Sequence, residues 1–139
     1  MRILIDTNIL LDFLCKREPY YEMSIKVFEL CINGQVDGCI ATHSVTNIFY
    51  ILRKYCNVEV RRSMLIRLFD IFEVESLTKD KLFSALNNNL FEDFEDCLQV
   101  ECAKGYYADY IISRNIKDFV NSSIPCMEPQ AFLQMIDNI

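Results

Sequence analysis

The chain has 139 residues, 52% of them hydrophobic, with only three glycines and three prolines. That length suits one compact domain, residues 1–139, with a real core and no long flexible linker. The formal charge of −6 excludes a protein that holds nucleic acid by bulk electrostatics, so any such role must rest on local basic patches or on a bound cation.

In chain order, RILI at 2–5 is a short apolar run that reads as a buried strand, and DTN breaks it. Arg2 ahead of apolar residues imitates a signal peptide. Asp6 and Asp12 interrupt that stretch, however, and no small-residue cleavage site follows. ILLDFLCKR is a short helix pattern. EPYYEMSIKVFELCINGQ is a longer one, with Met23, Val27, Leu30 and Cys31 at helical spacing and Gly34 as its stop. GCIAT is a second strand, and SVTNIFYILRKYC is an amphipathic helix. VRRSMLIRLFDIF continues as helix toward a strand near 71–74, and TKDKLFSALNNN is helical. DFEDCLQVECAKG is a helix that ends at Gly105, ADYIIS a strand, SIPCMEP a last short strand and PQAFLQMI a closing helix begun by proline.

No apolar run approaches the ~18 residues a membrane span needs, so a cytoplasmic protein without membrane attachment is expected. The cysteines, at 15, 31, 39, 56, 97, 102 and 126, are odd in number and form no C-x-x-C pair. That pattern argues against a disulfide scaffold or a zinc site.

Short strands alternating with helices imply an α/β fold with a parallel sheet covered on both faces, where ligands sit beyond the carboxyl ends of strands. Asp6, Thr7 and Asn8 follow the first strand. His43 and Ser44 follow the second, with Asn47 one turn on. Ser113, Arg114 and Asn115 follow ADYII, with Asp118 a turn later. The segment FEDFED at 91–96 opens the helix before ADYII. A right-handed crossover would put that opening at the opposite sheet edge unless the helix starts beside the carboxyl ends, and the pattern leaves both arrangements open.

Each residue has an ordinary structural reading. Asp6 suits a helix N-cap as well as a ligand role. Ser44 suits an N-cap with Asn47 at the capping-box position, and His43 a packed or surface site. Glu92 and Glu95 suit a solvated first turn that complements the helix dipole. Asp93 and Asp96 share a helix face. If Asp6, Asp93, Asp96 and Asp118 converge, their mutual repulsion is relieved by a hard divalent cation, and metal-assisted hydrolysis of a phosphodiester is the natural chemistry.

The segments ILIDTNILLDFL, SVTNIFYILRK, DFEDCLQVECAKGYYADYIISRN and IKDF, in that order, resemble the PIN domain family, and most closely its VapC-type toxins of toxin–antitoxin pairs. The resemblance implies a three-layer α/β/α sandwich with a central, mainly parallel sheet. It also implies a Mg²⁺- or Mn²⁺-dependent ribonuclease with its acids at the carboxyl edge, and a FEDFED helix that starts there. By that resemblance Asp6 is the first family acid. Asp96 is the acid opening the D-x-L-type helix, with Asp93 its companion, and Asp118 is the acid of the closing K-D-F. Asp6 and Asp96 would hold the cation, with Asp93 and Asp118 completing the metal and catalytic set. Asn8, Asn47, Ser113 and Asn115 would support it. Where many members carry acids, this chain has Asn47 and Asn115, so a catalytically weak or inactive module that binds RNA or a protein is the alternative. The basic clusters include Lys16–Arg17 and Arg53–Lys54, while Arg114 and Lys117 flank the site and are the expected phosphate contacts. The implied partners are RNA, an antitoxin protein and, from apolar helix surface early in the chain, a second copy in a homodimer.

Overall fold

The computed structural model describes residues 1–139. Its elements are β1 (Arg2–Ile5), α1 (Thr7–Leu14), α2 (Tyr21–Ile32), β2 (Asp37–Ala41), α3 (Thr42–Ile51), α4 (Val58–Leu68) and β3 (Glu73–Glu75). They continue as α5 (Lys79–Leu86), α6 (Phe94–Gly105), β4 (Tyr110–Ile112), β5 (Cys126–Met127) and α7 (Pro129–Asp137), with 3-10 turns at Leu52–Lys54 and Ile116–Phe119. The five strands form one parallel sheet in the order β3-β2-β1-β4-β5. This is the expected three-layer α/β/α arrangement. No helix is long and apolar enough to cross a membrane.

The two-residue period of β1 divides the core. Ile3 and Ile5 face a cluster with Ile9 and Leu10 of α1, Phe28 of α2, Ile48 of α3 and Phe132 of α7. Leu4, between them, faces the opposite side, where Val100, Cys102 and Ala103 of α6 pack with Cys39 and Ile111. All these side chains are buried, and each fully buried Ile, Leu or Phe stabilises the fold by about 1.5–3 kcal/mol. Phe28 stacks on Phe13 at 4.2 Å and meets the edge of Phe72 at 4.9 Å, which ties α1, α2 and the approach to β3 together. The seven cysteines are all free thiols.

Local signals explain most boundaries. Gly34, at φ 71°, turns the chain after α2. Asn57 and Thr78 cap α4 and α5 by accepting from Val60 N–H and Lys81 N–H. One expectation changes. Ser44 is not a cap: α3 already begins at Thr42, with Ala41 at its N-cap position and no side-chain cap. Gly105 ends α6 as expected, and the left-handed conformation that follows falls on Tyr107 at φ 59°.

What matters for function is direction. α1 starts directly from β1 and α3 directly from β2, so both helix N-termini lie at the carboxyl edge of the sheet. α6 also starts there and runs back. Its far end is fixed at the amino edge, where Arg2 Nε donates to Tyr106 O at 2.8 Å and Asp109 N–H donates to Arg2 O at 2.7 Å. The direction left open by the pattern is therefore resolved: FEDFED opens at the carboxyl edge.

Candidate active site

Asp6 sits where the ladder becomes a helix. Its N–H still bonds Ile112 O of β4 at 3.0 Å, and its side chain caps α1 by accepting from Thr7 N–H at 2.8 Å. The side chain is buried. Oδ1 also accepts from Gln99 Nε2 at 2.9 Å, and Oδ2 accepts from Ser113 Oγ at 2.7 Å. The cap reading and the ligand reading are thus compatible in one residue. Oδ2 has a single short donor, because Asn8 Nδ2 is 3.4 Å away, and so keeps acceptor capacity toward the cleft. Burial pushes the Asp6 carboxyl above its ordinary range, although the Ser113, Thr7 and Gln99 donors all oppose the shift.

Asp96 lies at the third position of α6, opposite Asp6. Burial is the first cause of its raised pKa, about 7, followed by the negative fields of Asp93, Asp6, Asp118 and Glu95. Three of these, Asp93, Asp6 and Asp118, are the acids expected to gather with Asp96, and the fourth, Glu95, is one expected in solvent.

The acids nevertheless divide between two adjoining depressions. A cleft of about 380 Å³ is lined by Asp6, Asp96, Glu95, Asn8, Asn47 and Asn115, together with His43, Gln99, Arg17 and Tyr50. A neighbouring one of about 530 Å³ is lined by Asp93, Asp96, Asp118 and Lys117, with Leu90 and Val120 on its rim. Asp96 alone among the acids belongs to both. Asp93 is the N-cap of α6, accepting from Asp96 N–H at 3.0 Å, and Asp118 lies in the turn Ile116–Phe119. No three acidic, histidine or cysteine side chains form a ready metal cage.

The supporting residues are mostly clamps. Ser113 donates to Asp6 and accepts from Asn8 Nδ2 at 3.2 Å and from Asn115 N–H at 3.0 Å. Asn8 turns its amide nitrogen toward Asp6 and Ser113, so it orients the acid instead of offering an oxygen. Asn47 Nδ2 donates to Glu95 Oε2 at 3.3 Å. Glu95 therefore faces the cleft and is not the purely solvated first-turn acid that the charge pattern suggests.

Arg114, expected to meet phosphate, is committed elsewhere. Its Nε and Nη2 donate to the two Asp12 oxygens at 2.7 and 3.0 Å, and its guanidinium covers Tyr20 at 3.8 Å. Asp12 is fully buried, and the pairing raises the pKa of Arg114. Lys117 remains beside Asp118 at the second depression. Asp12→Ala would leave the half-buried guanidinium without its partner. We expect a loss of about 3 kcal/mol, seen as a fall of roughly 10 °C in a thermal melt for a domain of this size.

Three residues at the site have roles that the sequence reading does not assign. Gln99 is buried, and its Nε2 bridges Asp6 to Ser44 Oγ at 2.9 Å while its Oε1 has no partner. Its spacing of three from Asp96, on an otherwise apolar helix face, is the available signal. Ser44 completes the bridge through Thr7 Oγ1 at 2.8 Å. His43 lines the cleft with neither ring nitrogen hydrogen-bonded, and burial lowers its pKa.

A hard-oxygen site fits these residues. Two carboxylates facing one cleft, both held above their ordinary pKa by burial, are stabilised by a cation. Mg²⁺ and Mn²⁺ need only one or two protein carboxylates, with waters and substrate phosphate as the other ligands.

A parallel α/β/α domain with carboxylates gathered at the carboxyl edge is the class that this fold and site define. Within that class the chain belongs to the PIN domain family, whose model matches residues 2–117. No curated protein sequence matches it. Among solved structures the chain is similar to VapBC2 from Rickettsia felis bound to a promoter DNA fragment, at 18% identity, with 92% of this chain and 98% of that one covered and a TM-score of 0.69. It is similar to a toxin–antitoxin complex from Klebsiella pneumoniae at 20% identity, with 91% and 97% covered and a TM-score of 0.67. It is also similar to the sarcin–ricin loop cleaving toxin VapC20 from Mycobacterium tuberculosis at 14% identity, with 78% and 86% covered and a TM-score of 0.62. At these identities the likeness is one of fold.

Proposed function

We propose that the protein is a Mg²⁺- or Mn²⁺-dependent endoribonuclease, the toxin half of a toxin–antitoxin pair, acting in the cytoplasm as a single domain. The observation that carries the reading is the approach of Asp96 to Asp6 across one cleft, each carboxyl raised by burial. Membership of the PIN domain family supports it, as does likeness of fold to structures described as toxin–antitoxin complexes and as an RNA-cleaving toxin. An antitoxin protein is the proposed partner, and a homodimer the proposed assembly.

Asp6 and Asp96 would hold the cation, which supplies Lewis-acid polarisation of the phosphodiester and a lowered water pKa. Asp6 has its position fixed by Thr7, Gln99 and Ser113, so it needs no rearrangement to bind. Asp93 and Asp118 keep the neighbouring depression acidic, which favours water there over a substrate phosphate. Asn47 and Asn115 offer neutral amides, which orient groups without adding charge. A second reading, a PIN-like module that binds RNA or a protein without cleaving, draws on those two neutral positions.

Incubation of the purified protein with RNA tests the proposal. We expect cleavage with Mg²⁺ or Mn²⁺ that stops on chelation and returns when the cation is restored. Cleavage undiminished by chelator would end the metal-dependent mechanism, and no cleavage with either metal would favour the binding module.

A further inference from the structure

We propose that Tyr50, Arg53 and Arg17 form a lip that takes an unpaired RNA strand beside the scissile phosphate, one base stacked on Tyr50 and one phosphate on Arg17. This rests on the ribonuclease reading and adds the substrate's form and course. Tyr50 and Arg17 line the same cleft as Asp6 and Asp96. Tyr50 is 63% exposed. One face of its ring is backed by the Arg53 guanidinium, 3.6 Å from the centroid. Arg53 is itself held in place, its Nη1 donating to Tyr50 O at 2.8 Å. The ring is thus a braced platform with a free face.

Charge gives the strand its course. Arg53 has no acidic partner. Arg17 has only Asp12, at 3.9 Å, and both Asp12 oxygens are already taken by Arg114. Two guanidiniums thus stand on one lip of the cleft, Arg53 without an acidic partner and Arg17 with a distant one that it shares with Arg114. The opposite side carries Glu92, Asp93 and Asp118 against one cation, Lys117, so its net negative charge disfavours phosphate. A strand whose phosphate enters between Asp6 and Asp96 therefore leaves over Arg17 and Tyr50. A paired strand keeps its base faces inside the helix, whereas an unpaired one can offer a face to an aromatic ring and a phosphate to an arginine.

The test is fluorescence anisotropy with 5′-labelled oligoadenosine, alone or annealed to oligouridine, with Ca²⁺ replacing Mg²⁺ and intact RNA verified by gel. We expect the single strand to bind more tightly than the duplex. Tyr50→Ala should weaken single-strand binding about tenfold, and Tyr50→Phe should retain it. Arg17→Ala should lower the salt slope by roughly 0.7. Thermal melts of the Tyr50 variants should match the wild type, since the ring is exposed. Single-strand affinity unchanged in Tyr50→Ala, an equal loss toward duplex, or no binding of either RNA overturns the proposal. The two readings fail separately. Tyr50-dependent binding without cleavage in Mg²⁺ or Mn²⁺ retains the lip and removes the nuclease. Cleavage with KM unchanged in Tyr50→Ala and Arg17→Ala retains the nuclease and removes the lip.

Discussion

Asp6→Asn should reduce RNA cleavage by at least about 10³-fold, because a cation's charge stabilisation is worth several kcal/mol and each 1.36 kcal/mol is a factor of ten. The substitution keeps the shape of the side chain and removes one of the two carboxylates proposed to hold the cation. Its oxygen can still accept from Thr7 N–H and Gln99 Nε2, while the new amide group takes the place of Oδ2, where Ser113 now donates. The Ser113 hydroxyl already accepts from Asn8 Nδ2 and Asn115 N–H, so the Asn8 amide must turn aside to make room for the new donor. Because burial already disfavours the Asp6 charge, removing it should cost little stability. The variant should melt near the wild type in the absence of cation and lose the rise in melting temperature that Mn²⁺ gives the wild type. A folded variant that cleaves as well as the wild type would remove Asp6 from the mechanism.

Asp96→Asn should act in opposite directions on stability and activity. The Asp96 carboxyl, with a pKa of about 7 in the fold, ionises near its ordinary value in the unfolded chain. Between those values the folded state binds more protons, so stability falls as pH rises from about 4 to about 7, and the deficit persists above. Asparagine removes that deficit. At pH 8 without cation the variant should melt about 3 °C or more above the wild type, equivalent to ~1 kcal/mol in a domain of this size. Near pH 4 the two should coincide. Adding Mn²⁺ at pH 8 should raise the melting temperature of the wild type alone, and cleavage should be lost with the stabilisation. Melting curves at both pH values check this. A variant less stable than the wild type at pH 8 would mean that Asp96 is held by favourable contacts and not strained by its neighbours. This trade between stability and a charged site is the pattern expected where function requires like charges to be held together.

The parts of the fold legible in the sequence are those set locally. RILI, GCIAT and ADYII are apolar runs cut off by polar residues, and all become strands of the sheet. DTN places Asp6 at a strand end, and Asp93 and Asp96 three apart place both at the start of one helix. What was illegible depends on partners distant in sequence. Ser44 has the chemistry of a cap, but the fold presses it against Thr7 and Gln99 and starts the helix earlier. Arg114 has the position of a phosphate contact, but Asp12, 102 residues away, takes its charge. Asp93 and Asp96 share a face by spacing, yet that face straddles a ridge between two depressions, and only Asp96 looks into both. Periodicity resolves which side of a helix a residue occupies. It does not resolve the surface relief that the neighbouring loop 87–93 and the turn 116–119 build there.

That division between the two depressions is the point on which the account turns. Diffraction from crystals soaked in Mn²⁺ at pH 8, measured for the metal's anomalous signal, addresses it directly. The account predicts one strong peak bonded to both the Asp6 and the Asp96 carboxylates, at the ~2.0–2.2 Å typical of oxygen ligands to small divalent cations. No peak at that cleft, or a peak held by Asp93 and Asp118 without Asp6, would contradict it.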